Sequence, residues 1–412
     1  MTVDSGSGSV VHRGGVEFVL LMAAMMSLVA LCIDVMLPAF PWIAADLDVA
    51  VANDVQLVVA TMFLGLAVGQ PFYGPLSDSI GRKPAMHAGF ALLAAGTLLA
   101  LFATSFPLML AGRFLQGLGA AGPRTVSIAL VRDRFQGSDM ARIMSFIMTV
   151  FILVPILAPA VGQGILLLTG NWRSIFAFIL LFSIAVEVWL ALRQPETLPP
   201  AYRRPFTLVS VRAAFLEVLR NRPAMIYTLV AGCTFGAFMG YLNTCQPIFG
   251  VQYGLGALFP LVFAGLALSA GLAAMLNGHL VVRFGMHRLT FGALYLIMAL
   301  SWLLLLVGLA TGGQPPLWLF LPPLIVWFFC IGFIFGNINA MAMEYLGHVA
   351  GSAAAIIGTL TTLLAVALGY MTGRFYDGTV LSLVTGFAVL TTVSVLLTRI
   401  VSGPAKTNAR AE

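Results

Sequence analysis

Twelve apolar runs of roughly twenty residues, divided by short polar or Gly/Pro breaks, limit what this 412-residue chain can fold into. At about 1.5 Å of rise per residue, such a run as a helix crosses a hydrocarbon core about 30 Å thick. Lipid offers no partners to free backbone groups, so a spanning segment is a helix or part of a closed barrel. The runs lack the alternation of barrel strands, which leaves an all-α polytopic membrane protein. A chain that is 60% hydrophobic and 9% charged also lies outside the range of soluble domains. The expected spans are 16–41, 55–76, 84–103, 107–131, 143–168 and 173–192, then 224–250, 257–282, 289–309, 317–343, 350–372 and 379–401.

Six spans lie on each side of one polar segment, Arg193 to Arg222, where Pro195, Pro199, Pro200 and Pro205 break helix continuity and Arg203, Arg204, Arg212 and Arg220 cluster. The expected organisation is an N-terminal six-helix bundle over 1–192, a cytoplasmic linker over 193–222 and a C-terminal six-helix bundle over 223–412. Inside the linker, Leu208, Val211, Phe215, Leu216 and Leu219 recur at helical spacing with Arg212, Glu217 and Arg220 between them. That pattern suits a short helix on the membrane surface, the alternative being a solvated loop with one helical turn.

The halves carry a repeat. GPLSDSIGRKP, from Gly74 to Pro84, packs Asp78, Arg82 and Lys83 into six residues and reads as a tight, water-facing turn in which Gly74 and Gly81 supply unusual backbone angles or close approach. GHLVVRFGMHR follows from Gly278, so that Gly74, Leu76, Gly81 and Lys83 have counterparts in Gly278, Leu280, Gly285 and His287, 204 residues on. A repeat of six spans returns the chain to its starting side, which predicts parallel halves related by an axis along the membrane normal.

Basic residues are retained on the cytoplasmic side of short loops. With the N-terminus inside, 17 of the 21 Lys and Arg residues fall on that side, Arg173 and Arg374 fall outside, and Arg113 and Arg124 fall within the fourth span. Both termini are therefore expected in the cytoplasm. The pI of about 9.4 then reflects topology and lipid headgroups rather than nucleic acid, for which no motif is present. The first run is too long for a signal peptide and is expected to be retained.

An ionisable side chain at membrane depth costs at least about 2.5–3.5 kcal/mol, so each one needs a partner or a task. Asp34, in LCIDVMLPAFPWI, stands sixteen residues past Phe18, roughly 24 Å from the inner boundary. Arg113, six residues past Pro107 on a span entering from outside, reaches a comparable depth, so a pair or a shared water between them is open. A carboxyl so placed can exchange a proton with water; it can also simply be an outer-end group reaching headgroup water. Asp34 precedes Pro38 by four residues, and Asn243 precedes Pro247 by four in GYLNTCQPIFG, so both spans are expected to bend where polar side chains face a central cavity. Arg124 lies about 17 Å deeper than Arg113 along its helix. It either snorkels to the cytoplasm or stands in an inner vestibule, where it would favour neutral or anionic cargo. Glu187 and Glu344, near cytoplasmic span ends, are expected to reach for water. In VFILVPILAPAVGQG, Pro155, Pro159 and Gly162 suit a helix that packs closely and rocks against another.

Together these segments resemble the major facilitator superfamily, most closely its twelve-span drug:proton antiporters of the bicyclomycin/chloramphenicol-resistance type. GPLSDSIGRK resembles the superfamily's signature loop, with Asp78 and Arg82 in its charged positions. LAGRFLQGLGAA is similar to the span-4 motif, whose arginine, here Arg113, the resemblance implicates in proton coupling. IDVMLPAFPWIAADL resembles the start of the bicyclomycin-type group, with Asp34 at the place of the span-1 acid. The span-5 antiporter motif is met in part, Ala158 standing where it has a glycine before Pro159.

The resemblance implies two bundles closing alternately around a mid-membrane cavity, with Gly74, Asp78, Gly81, Arg82 and Lys83 gating the cytoplasmic side. The function expected is a proton-coupled exporter of amphipathic molecules in a bacterial inner membrane, with lipid, protons and a small molecule as partners and the protein a monomer. An importer or facilitator of a small metabolite is the alternative. No nucleotide motif or zinc spacing appears among the residues, so no cofactor or metal is expected. Enzymes need clustered reactive groups, whereas His12, His87, His279, His287 and His348 are scattered near loops and Cys32, Cys233, Cys245 and Cys330 sit within apolar runs.

Overall fold

A computed structural model describes residues 13–401 except 136, 204 and 347–349, which leaves His12, Arg204, His348, Lys406 and Arg410 outside the described set. Twelve of its helices have 20 to 33 residues: α1 (Arg13–Asp34), α2 (Leu57–Ile80), α3 (Arg82–Leu101), α4 (Phe106–Arg134), α5 (Gly137–Thr169), α6 (Arg173–Arg193), α7 (Arg222–Cys245), α8 (Phe259–Phe284), α9 (Met286–Ala310), α10 (Leu317–Met343), α11 (Ala350–Arg374) and α12 (Leu381–Val401). Eleven are long and apolar enough to cross a membrane. The exception, α4, carries Arg113, Arg124, Arg132, Asp133 and Arg134 and is rich in glycine and alanine. It packs among α1, α2 and α3, where small residues allow close approach and little of its surface needs to meet lipid.

The packing repeats as the sequence does. In the first half α1 contacts α4, α5 and α6, α4 contacts α2 and α3, and α3 contacts α6; each pairing recurs six helices later among α7 to α12. The halves meet through α2 against α11 and α5 against α8, two contacts that the same shift exchanges. The result is two six-helix bundles related by an internal two-fold arrangement.

Both prolines singled out above interrupt regular helix. Pro38 lacks a donor and crowds the carbonyl four residues back, so α1 stops at Asp34 and the chain turns through Leu37–Ala39 into a short helix, Phe40–Asp46. Around Pro247 the interruption is milder: α7 ends at Cys245 and continues as a π-helical turn, Gln246–Gln252.

The turn expected over Gly74 to Pro84 shrinks to one residue. α2 continues through Gly74 and Pro75 to Ile80, α3 begins at Arg82, and Gly81 alone separates them at φ +109°. That angle suits glycine. The Arg82–Asp78 pair bridges the last turn of α2 to the start of α3, and the Ser77 hydroxyl donates to the Gly74 carbonyl. Gly285, at φ +81°, divides α8 from α9 in the same way. The linker does form a helix, Leu208–Arg220, which buries Ala214 and Val218 and packs against α11, α7 and α2.

Candidate functional site

At the junction of α2 and α3, the Arg82 guanidinium donates from Nε to Asp133 (3.0 Å) and from Nη1 to Ser77 (2.8 Å) and Asp78. The exposed amides that begin α3 are capped from the linker: Glu196 accepts from the backbone N–H of Arg82 (3.0 Å) and Lys83 (2.9 Å). Its own chain adds N–H bonds from Thr197 and Leu198, while the Thr197 hydroxyl donates to Asp133 (3.0 Å). Burial raises the Glu196 pKa, but the four backbone donors together outweigh it and hold the carboxyl below its ordinary value. The network joins the first bundle to the start of the linker. Among the described residues, none of these bonds reaches the second bundle, so in this structure Asp78 and Arg82 do not clasp the two halves.

At the other end the halves are fastened. Asn53 Nδ2 donates to the carbonyls of Arg374 (3.1 Å) and Tyr376 (2.7 Å), and Gln56 Nε2 donates to that of Gly373 (3.2 Å). These carbonyls belong to the last turn of α11 and just beyond, where intrahelical donors run out. Arg374 also lies 3.5 Å from Asp54.

Asp34 lies just inside this closed end. It is 5% exposed and, among the described residues, the only buried aspartate or glutamate. Arg113 is fully buried at the same level, as expected, but forms no ion pair with Asp34 among the described residues. It donates instead to the carbonyls of Val58 (2.9 Å) and Cys32 (3.0 Å) and to Gln116 Oε1. The reason lies in the break of α1. Ending the helix at Asp34 leaves the carbonyls of its last turn without following amides, and a cation is favoured at a helix C-terminus. Arg113 thus grips the backbone two residues from Asp34 rather than its carboxylate. On the facing helix, Tyr241 and Cys245, one turn apart on α7, lie within electrostatic reach of Asp34. Tyr241 is packed edge-on against Phe328 at 4.6 Å between ring centroids.

Gly162 of α5 completes the surroundings. A β-carbon there would strike the Val35 carbonyl, in the turn directly after Asp34, so only glycine lets α5 lie on the break. Pro155 and Pro159 lie within the uninterrupted α5, before that contact in the chain.

A cavity of about 570 Å³ lies between the bundles. Gln70 and Asp78 of α2 and Arg124 of α4 face Phe235 of α7 and Phe335 and Met343 of α10 across it. The expectation that Asp34 and Asn243 face this space is corrected: both are buried and neither lines it, because the fastened ends of α2 and α11 close the bundles over them. Arg113 likewise lies outside the lining, whereas Arg124 belongs to it. Glu187, expected to reach for water, instead pairs with His87 of α3. Glu344 lies 3.9 Å from His287. Sequence reading missed Glu196, Asn53 and Gln56, whose partners are backbone groups distant in the chain. Among the described residues no group of three or more His, Cys, Asp or Glu is arranged to hold a metal.

The Major Facilitator Superfamily model matches residues 22–370. The chain is 31% identical over 365 residues to the uncharacterized MFS-type transporter YdgK of Bacillus subtilis, covering 88% of this chain and 89% of that protein. It is 28% identical over 384 residues to a bicyclomycin resistance protein homolog of Haemophilus influenzae, covering 92% and 94%. It is 26% identical over 363 residues to Multidrug resistance protein D of Escherichia coli, covering 85% and 87%. In fold it is similar to the xylose transporter XylE of Escherichia coli in a partially occluded inward-open conformation, with a TM-score of 0.71 at 14% identity, covering 96% of this chain and 99% of that one. With two repeated six-helix bundles around a shared cavity, a signature loop at the α2–α3 junction and relatives matched along most of their length, this multi-pass membrane protein belongs to the Major Facilitator Superfamily.

Proposed function

We propose that the chain is a proton-driven exporter of amphipathic small molecules, acting as a monomer in a bacterial inner membrane with both termini in the cytoplasm. Its working parts are the bundles 1–192 and 223–412, joined by the cytoplasmic linker 193–222. The observation that carries this reading is the buried carboxyl of Asp34, alone of its kind among the described residues, at the break of α1 beneath the fastened end, with a cavity that both bundles line farther along. The fastened end is then the periplasmic side, and the cavity takes cargo from the cytoplasm or inner leaflet.

The exchange works through what each group touches. Opening the seal made by Asn53, Gln56 and Arg374 brings periplasmic water to Asp34, which takes a proton as cargo leaves. Closing it carries the proton inward, and its release to the cytoplasm precedes the next loading. Arg113 transmits the change of charge, because it holds the same last turn of α1 that ends in Asp34. The names of relatives concerned with bicyclomycin and multidrug resistance support amphipathic cargo and outward transport. The test is a substrate screen in sealed proteoliposomes with a pH-sensitive dye inside. An exporter moves cargo against its gradient and dissipates an imposed pH difference as it does so; cargo movement that ignores the pH difference would replace this reading with a facilitator.

A further inference from the structure

On α4, positions 124, 128 and 132 fall one turn apart and all three line the cavity, so this helix presents an Arg–Ile–Arg stripe to it. Protein surrounds Arg124, yet its side chain is open to the cavity, and neither Arg124 nor Arg132 has a hydrogen-bond or ionic partner among the described residues. Among the described residues of the lining the one carboxylate, Asp78, is held by Arg82, which is bound to Asp133 as well. The lining therefore carries uncompensated positive charge. Across from the stripe stand Phe235 and Phe335, edge to face at 5.5 Å, together with Met343. A cation kept at membrane depth without a protein partner needs water or an incoming anion, and a guanidinium fork matches a carboxylate or sulfonate with two parallel hydrogen bonds.

We infer that the cargo is an amphipathic organic anion, its acidic group held by Arg124 and its apolar body lying on Phe235 and Phe335. This rests on the proposed transport role and names its substrate class. A charge consequence follows. A proton entering and an anion leaving both carry positive charge inward, so one exchange moves two charges, whereas export of a monocation for one proton would move none.

The test is equilibrium binding to purified protein in nanodiscs without any gradient, which keeps its failure separate from that of proton coupling. The probes are 1-anilinonaphthalene-8-sulfonate and its uncharged parent, N-phenyl-1-naphthylamine, each read against empty nanodiscs. The wild type should bind the sulfonate more tightly than the parent. Arg124→Ala should weaken sulfonate binding about tenfold or more, as loss of a charge-assisted hydrogen bond implies. Binding of the parent and thermal stability should change little, and Arg124→Lys should restore part of the sulfonate affinity. Equal wild-type affinities for the two probes, or equal loss of both in Arg124→Ala, would overturn the inference.

Discussion

Gly162 and Arg113 show how single residues set the geometry around Asp34. Gly162 has no room for a methyl group because the Val35 carbonyl occupies it, whereas a β-carbon at Gly164, two residues on, would meet nothing within 4 Å. Overpacking of that kind costs about 1–3 kcal/mol. Gly162→Ala should therefore lower the thermal unfolding midpoint in detergent while Gly164→Ala leaves it within error; equal effects would refute the contact. Asp34, Arg113 and their common depth were legible in the sequence because charges stand out in apolar runs. What they would bond to was not. Arg113 donates to the carbonyls of Val58 and Cys32 as well as to Gln116, and no residue type announces a backbone acceptor.

Among the elements, α3 depends on a cap supplied from more than a hundred residues away. The carboxylate of Glu196 satisfies two amides of its first turn, and its pKa lies below the ordinary value of 4.5. The stabilisation is thus complete above the unfolded pKa and is lost as pH falls through the lower folded value. The protection of the Arg82 and Lys83 amides against hydrogen exchange, relative to their intrinsic rates, should fall selectively at such acid pH, and Glu196→Gln should show faster exchange already at pH 7. If exchange in that variant matches the wild type, Glu196 is not the cap. At the opposite end, α2 and α11 are tied through Asn53 and Gln56 to terminal carbonyls. Each neutral bond is worth about 1 kcal/mol, so Asn53→Ala with Gln56→Ala should shift the balance of closed and open ends by about tenfold or more. Labelling of a cysteine introduced beside the seal would measure it, and unchanged labelling would show that the ties do not hold the end shut. Helix number and the repeated loop could be read from hydrophobicity and glycine spacing, whereas the length of the turn at Gly81 could not: Gly74 and Pro75 look like breakers, yet α2 runs through both to Ile80.

At the scale of the molecule, the six-helix shift that maps each pairing onto its counterpart also exchanges the α2–α11 contact with the α5–α8 contact. Two bundles joined in this way can rock about their shared faces, opening one end as the other closes, with Asp34 just beneath the seal and the cavity beyond it. The linker, anchored through Glu196 to the first bundle and through its helix to α11 and α7, ties the moving halves together on the signature-loop side. The central claim is that Asp34 carries the proton whose entry drives cargo outward. Its most direct test compares wild-type protein and Asp34→Asn in proteoliposomes, measuring uphill cargo transport under an imposed pH difference alongside cargo exchange at equal pH. Asp34→Asn is predicted to retain exchange and lose uphill transport; uphill pumping by the variant at the wild-type rate would contradict the account.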